Sequence, residues 1–236
     1  LALFRQVPWR AVPITRVEVM FAPGWFPIHV NKVSYWTRTV TVPLLILTAL
    51  KPVAKNPRRV NIDELFHKPP YNENYRLINP TGNWIGGLML AMDRSSRLLE
   101  PLIPKVVTRK AIKMALQFVE DRLNGDDGLG GIFPAMANSL MVFTCLGFNG
   151  DDPRIVSARR AIDRLLIFKD GEAYCQPCLS PVWDTGLAVH AVLESQNGKT
   201  DQLNQSCEWL KNLQILDQIG DWAHTRKGLR PGGWAF

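Results

Sequence analysis

The sequence predicts an all-α fold, specifically an α/α barrel (toroid) built from helical hairpins. Loops rich in Gly and Pro, marked by Gly128, Pro177 and Gly220, recur at roughly the 40–50 residue spacing of helical-hairpin repeats. Amphipathic segments alternate with uniformly apolar ones, as the outer and inner helices of such a barrel require, because the inner helices are covered on all sides. No strand-rich region competes with this helical pattern.

The first part of the chain predicts four helical segments. In chain order they are 1–9, Val30–Leu50, Ile62–Phe66 and Trp84–Leu99. The first indicates the tail of a helix that ends at Pro8-Trp9, and the second favours a buried helix because it is long and free of turn signals. Residues 51–80 are rich in proline and predict a long ordered loop, in which Asn61 caps the short helix.

The second part predicts five further helices. They cover Thr108–Leu123, Met136–Leu146, Pro153–Phe168, Thr185–Glu194 and Asp201–Leu213. Asn124-Gly125 ends the first and Gly147 ends the second, as is typical of helix C-termini. Between the third and fourth, Ala173–Ala188 predicts a turn-rich loop that ends at Pro181, which places Trp183 in the first turn of the next helix.

Charge and hydropathy indicate whether nucleic acid, a membrane surface or solvent faces the basic side chains of the protein. The net charge is +7, but no run of Lys or Arg exceeds two residues, so a solvated surface is favoured over a membrane surface, and nucleic acid is the least favoured. The uncharged run Thr39–Leu50 is too short to span a bilayer. The segment Leu98–Val107 is apolar with basic residues on its flank, which is compatible equally with a membrane interface and with packing against a neighbouring helix.

Several kinds of active site are disfavoured by the motifs. The glycines of Gly125–Gly131 lack the Gly-Lys-Ser/Thr of a phosphate-binding loop, and neither a Ser-His-Asp pattern nor a His-Glu-x-x-His motif is present. The paired carboxylates Asp126-Asp127 and Asp151-Asp152 are typical of turns and caps. Cys175-x-x-Cys178 has no second pair at zinc-ligand spacing, so a structural role and a reducing compartment are expected. No metal and no cofactor is predicted.

Aromatic residues are instead concentrated where loops meet inner helices. These positions are Trp36, Phe133, Trp183, Trp234 and Phe236. Such rings are compatible with ordinary core packing, but an electron-rich ring face at a cavity wall also stabilises a cation without acting as a nucleophile. A cavity walled in this way suits carbocation chemistry, which must exclude water while balancing charge.

The motifs resemble those of the squalene–hopene cyclases, bacterial triterpene cyclases related to the oxidosqualene cyclases. The most specific matching stretches are Val33–Val40, Asn124–Ser139, Ala173–Thr185 and Gly220–Phe236. The family's Gln…Gly-x-Trp repeat, which ties an outer helix to the next loop, matches Gln214…Gly220-Asp221-Trp222 and is degenerate at Gln117…Gly128-Leu129.

The resemblance implies two α/α barrels of the terpenoid-cyclase type with an apolar cavity between them. Residues 1–178 would form most of one barrel, with the Pro-rich loop at 51–80, and residues 179–236 would begin the second, catalytic barrel. The implied cavity residues, which bind substrate or stabilise cations, are Trp36, Ile132, Phe133, Pro134, Trp183 and Phe236. Many members of the family carry Gln at the position of Phe133, where it is linked to water handling near the terminal cation.

The resemblance also implies an activity, a substrate and a location. The whole enzyme would cyclise squalene to hopene or hopanol without a cofactor, as a monotopic protein on the cytoplasmic side of the bacterial inner membrane, with Leu88–Val107 on the membrane surface. A homodimer is compatible with this implication. The family's Asp-x-Asp-Asp acid would follow Phe236, so this chain is expected to be a fragment, truncated at both ends and inactive alone. A non-catalytic lipid- or partner-binding module and an oxidosqualene cyclase are the alternatives.

Overall fold

The computed structural model describes residues 1–13, 15–79, 81–195, 200–224, 226 and 228–235, with Asp126 described through its backbone alone. Seven α-helices and one two-stranded sheet lie within these residues. The helices are α1 (Tyr35–Leu50), α2 (Trp84–Leu99), α3 (Lys105–Glu120), α4 (Phe133–Cys145), α5 (Pro153–Asp163), α6 (Pro181–Ser195) and α7 (Thr200–Asn212). The strands are β1 (Leu166–Lys169) and β2 (Glu172–Cys175), and the remaining described chain forms loops and short 3-10 turns.

The helical pattern of the sequence predicts most of these elements. The bounds of α2 are those predicted, and α1 lies within the predicted segment Val30–Leu50. A 3-10 turn at Asp63–Leu65 is present where the short helix in the Pro-rich loop was predicted, but its N-cap is Ile62 without a side-chain cap, and Asn61 accepts only a long hydrogen bond of 3.5 Å from the backbone of Asp63. The helix predicted over residues 1–9 is wrong. These residues form no α-helix, because Arg5 in a left-handed conformation ends the turn Ala2–Phe4 and Pro8 follows soon after.

The helix predicted over Pro153–Phe168 is wrong in its last turn, and the loop predicted from Ala173 is wrong at its start. The α5 helix ends at Asp163, and β1 then pairs with β2 in an antiparallel hairpin whose closing pair is Lys169 and Glu172. Asp170 and Gly171 form the two-residue turn, both with positive φ. An Asp-Gly turn of this kind matches the right-handed twist of two strands, and this local signal overrode the helical period.

The hydrophobic core is centred on α1 and α4, which pack against each other and are covered by α3 and α5. Fully buried side chains at this contact include Val42, Leu45, Ile46, Val142 and Phe143. The outer helices present small residues, with Ala111 and Ala115 on α3 and Ala158 on α5 all inaccessible to solvent. The alternation of apolar and amphipathic segments therefore corresponds to inner and outer positions, whereas α6 and α7 contribute no buried side chain.

The start of α5 is held by a carboxylate–guanidinium pair. Asp152 caps the helix by accepting a hydrogen bond from the backbone of Arg154 at 3.0 Å, and the Arg154 guanidinium binds both Asp152 and Glu120 at the end of α3. The same guanidinium lies 3.7 Å from the centre of the Phe148 ring. Hydrogen bonds from Arg154 lower the pKa of Asp152 to about 2.

Asp152→Asn is expected to lower the thermal midpoint of the complete protein by roughly 1–3 °C at pH 7, since it keeps a capping oxygen but removes the charge. The folded pKa lies below the unfolded value, so this stabilisation is present above about pH 4 and is lost as the pH falls toward 2. Thermal melts from pH 7 to pH 2 test this expectation. Asp151→Asn at the exposed neighbouring carboxylate is the control, and equal effects of the two substitutions would contradict it.

Candidate aromatic site

The structure brings two of the predicted aromatics into contact. Trp36 lies in the first turn of α1, whose N-terminus is capped by the Ser34 hydroxyl, and Trp183 lies in the first turn of α6 as predicted. Their ring centroids are 5.7 Å apart with an interplanar angle of 84°, an edge-to-face contact. The Trp183 side chain remains 54% exposed, so the pair forms a surface with ring area available to a ligand.

Ile132, Phe133 and Pro134 lie where the loop Gly125–Gly131 enters α4. The backbone of Phe133 donates to the carbonyl of Pro177 at 2.8 Å, and Ile132 forms an isolated antiparallel bridge with Cys178. A main-chain clip between residues 131–133 and 177–179 therefore joins the loop that begins α4 to the loop that leads into α6. Phe133 and Pro134 are exposed at this junction, and Ile132 is half-buried.

The same loop packs closely on α1, one turn beyond Trp36. A Cβ placed on Gly130 would lie 2.8 Å from the Thr39 hydroxyl oxygen, and Gly130 has a positive φ. The Thr39 hydroxyl also donates to the carbonyl of Trp36 at 3.0 Å. The three helix starts that carry Trp36, Phe133 and Trp183 are therefore connected through contacts of these loops.

Trp234 serves as a tie between a loop and a helix. Its indole N–H donates to the carbonyl of Leu210 in α7, and the adjacent Gly233 carbonyl accepts a hydrogen bond from Ile215. The Gln214 side-chain amide donates to the carbonyl of Gly232 at 2.8 Å, which ties the end of α7 to the Gly-Gly-Trp turn. The tie of this helix to the Gly220 loop stays a prediction. Phe236 lies outside the described residues.

An ionic cluster adjoins the aromatic pair, and no motif in the sequence predicts it. Asp221 accepts two hydrogen bonds from the Arg122 guanidinium, at 2.7 and 2.8 Å, and lies 3.3 Å from Arg38 on α1. Burial alone would raise the pKa of Asp221, but the hydrogen bonds and charge of Arg122, with the charge of Arg38, hold it below its ordinary value. Burial raises the pKa of neighbouring Tyr35, and the charge of Asp221 adds to that rise.

The sequence contained two hints of this cluster. Arg38 lies inside the conspicuous Tyr-Trp-Thr-Arg stretch, and Asp221 is the middle residue of Gly-Asp-Trp. Both motifs are distinguished by their aromatic residues, and neither pattern indicates that the two charges pair. Arg122, near the end of α3, had no signal beyond being a charge on an amphipathic segment.

The described residues contain no group of three or more His, Cys, Asp or Glu side chains arranged to hold a metal ion. All four cysteines are free thiols. A cleft of about 690 Å³ lies between the Pro-rich loop and α2, and it is lined largely by charged residues such as Arg10, Asp93 and Arg97. None of the predicted site residues that the structure describes lines this cleft.

The surface predicted to face a membrane is strongly apolar. Within Leu88–Val107 the most exposed large apolar side chains are Leu98, Leu102 and Val106, at 78%, 74% and 61%. The α2 helix has no buried residue, and Lys105 and Arg109 at the start of α3 are exposed. In the part of the chain that the structure describes, no helix combines the length and the apolar character needed to cross a bilayer.

Comparisons with known proteins match the whole chain. The model of the squalene–hopene cyclase N-terminal domain matches residues 1–171, and that of the C-terminal domain matches residues 179–236. The chain is 48% identical to a squalene–hopene cyclase of Bradyrhizobium diazoefficiens, 47% to one of Zymomonas mobilis and 42% to one of Schizosaccharomyces japonicus. Each match covers 100% of this chain but only 36%, 36% and 37% of the relative.

These matches confirm the resemblance carried by the motifs, and the chain spans little more than a third of the length of these relatives. The domains of this family are α/α toroids, which confirms the fold class predicted from the helical pattern. The domain boundary predicted at residue 178 stays a prediction. By sequence motifs, helical fold and both domain models, the chain belongs to the squalene–hopene cyclase family.

Proposed function

We propose that the complete protein containing this chain is a triterpene cyclase that converts squalene to hopene or hopanol. The observation that carries the proposal is the contact between Trp36 and Trp183, two rings placed by two different loops at the starts of α1 and α6. The relatives named above as squalene–hopene cyclases support the choice of substrate. A non-catalytic module is less well supported, because the named relatives are enzymes.

The geometry of the pair suits cation stabilisation. In an edge-to-face contact the positive edge of one ring points at the negative face of the other, which leaves further ring face available to a ligand. A carbocation that forms over such a face is attracted by the ring quadrupole, and the carbon skeleton of indole is a poor trap for it compared with a carboxylate or water. Phe133, 39% exposed, places a third ring at the start of α4.

The proposed reaction begins when an acid adds a proton to the terminal double bond of squalene. Successive double bonds then attack the cation and close the rings, and the cascade ends when a proton is lost to give hopene or when water adds to give hopanol. The sequence contains no Asp-x-Asp-Asp, so we place the acid outside these residues. The Trp pair takes no proton in this scheme; it holds charge within the folded substrate.

The test is expression of the complete reading frame that encodes this chain, followed by incubation of the detergent-purified enzyme with squalene and, separately, with oxidosqualene. Gas chromatography with mass spectrometry is expected to show hopene or hopanol from squalene. Recovery of unchanged squalene by folded protein would overturn the proposal, and turnover of oxidosqualene alone would reassign the substrate. Light scattering on the same preparation measures whether the protein is a homodimer, which the resemblance leaves open.

We also propose that Leu88–Val107 contacts the cytoplasmic face of the inner membrane, from which the apolar substrate would enter. Large apolar side chains exposed on this surface beside basic residues support the proposal, since this combination suits an interface with anionic lipid. Squalene partitions into the bilayer, so a monotopic attachment gives the enzyme direct access to it.

Replacing Leu98 and Leu102 together by Ser is expected to weaken binding of the complete protein to phosphatidylglycerol vesicles about tenfold, because two exposed apolar anchors are lost. Vesicle co-sedimentation measures the effect. The matched control is Val60→Ser with Leu65→Ser, two residues of similar exposure, 59% and 72%, on the Pro-rich loop. Equal loss in the two double variants would contradict this assignment of the surface.

A further inference from the structure

A carboxylate from the Gly-Asp-Trp loop pairs with two arginines that lie far earlier in the chain. Asp221 binds Arg122 through two hydrogen bonds and lies 3.3 Å from Arg38, with side chains 20%, 14% and 7% exposed. Asp221 is separated from Arg122 by 99 residues. The contact therefore joins the residues matched by the C-terminal domain model to α1 and to the turn that follows α3, both within the residues matched by the N-terminal model.

Arg38 depends on this carboxylate. Within the described residues, Asp221 is the one acidic side chain at ion-pair distance from Arg38, and the Arg38 Nε is buried without a hydrogen-bond partner. The guanidinium also lies 5.6 Å from the centre of the Tyr35 ring. A charge removed from water is tolerated when an opposite charge stays beside it, so loss of the carboxylate drives Arg38 toward solvent.

Arg38 occupies the helical turn that carries Trp36. The turn starts at the Ser34 cap, and the Thr39 hydroxyl holds the carbonyl of Trp36. Trp36 and Arg38 lie two residues apart at the start of α1, so a shift of this backbone that carries the Arg38 guanidinium toward solvent also shifts Trp36. The ring of Trp36 then leaves its edge-to-face contact with Trp183.

We propose that Asp221 is a positioning residue that, through Arg38, holds the Trp36 ring against Trp183. The inference rests on the proposed function, in which these rings stabilise cations. Asp221 touches no substrate in this scheme; its effect reaches the reaction through the orientation of one ring. Misplacement of a group by about 1 Å is sufficient to change rates by up to about a hundredfold, so a modest shift of this turn has a measurable consequence.

The experiment is a double-mutant cycle in the complete enzyme with Asp221→Asn, Arg38→Gln and the two combined. Each single substitution is expected to raise the ratio of incompletely cyclised to fully cyclised products about fivefold, and the double variant to raise it no further. Glu208→Gln, which breaks the exposed Lys211–Glu208 pair on α7, is the control and should leave the ratio unchanged. An unchanged ratio in Asp221→Asn, or effects that multiply, would overturn the proposal.

A second variant distinguishes a change in ring position from a failure to fold, and a second measurement detects the change without relying on enzyme activity. Asp221→Glu retains the charge but displaces it by one methylene, so it should fold normally and still shift the product ratio. Near-ultraviolet circular dichroism is expected to change on Asp221→Asn, and that change should be absent in a Trp36→Phe background. If the wild-type enzyme does not turn over squalene, the proposed function fails, while the spectroscopic comparison still decides whether Asp221 positions Trp36.

Discussion

Trp183→Ala in the complete enzyme is expected to produce prematurely terminated, partly cyclised products at the expense of the fully cyclised one. The substitution removes a ring that is edge-to-face with Trp36 and 54% exposed in this chain. A desolvated cation–π contact is worth about 2 kcal/mol, so the cyclisation step that depends on it should slow about 30-fold relative to competing proton loss. Product analysis by gas chromatography with mass spectrometry measures the ratio.

Two further variants separate the ring face from general packing. Trp183→Phe keeps an aromatic face and should restore most of the wild-type product distribution. Trp209→Ala on α7 removes a Trp of similar exposure, 41%, and should leave the distribution unchanged. An unaltered product profile in Trp183→Ala would remove Trp183 from the proposed mechanism.

Gly128→Ala is expected to destabilise the complete protein by about 3 kcal/mol or more. Gly128 has φ 66° and ψ −157°, a conformation closed to residues with a side chain. An added Cβ would also lie 2.6 Å from the Cβ of Ala161 and 3.0 Å from the Cγ of Met136, both in the packed interior. The midpoint of thermal inactivation, followed with the cyclisation assay, measures the loss.

The chain offers controls for the two causes of this effect. Gly147→Ala introduces a Cβ at positive φ into open space, and Gly150→Ala introduces one into open space at a position without positive φ. The expected order of destabilisation is Gly128, then Gly147, then Gly150. A Gly128 variant no less stable than the Gly147 variant would show that the contact with Ala161 is unimportant.

The helical parts of the fold could be predicted because their signals are local and periodic. The α2 helix has the predicted bounds, and Trp183 lies in the first turn of its helix because Pro181 occupies the helix start. The hairpin of β1 and β2 was missed although Asp170-Gly171 is a strong turn signal, since apolar residues before it continued the helical period.

The aromatic residues of the candidate site could be predicted from local sequence, whereas its charged residues could not. Trp36 and Trp183 could be chosen by residue type and position at loop–helix junctions, and the structure shows them in contact. The ionic cluster of Arg38, Arg122 and Asp221 could not be predicted, because the motifs around Arg38 and Asp221 do not indicate which charges pair, and the three meet only when distant segments are folded together. Long-range charge pairing leaves no periodic pattern in a single sequence.

The clip between residues 131–133 and 177–179 has a consequence for how product outcome can diverge among such enzymes. Its hydrogen bonds join main-chain atoms, including the N–H of Phe133 and the carbonyl of Pro177, so they persist whatever side chain occupies position 133. A polar side chain can therefore replace the ring of Phe133 while the main-chain contacts between the two loops are kept. The backbone structure around position 133 is therefore independent of its side chain, so substitutions at this residue can change the surface offered to a substrate without changing the fold.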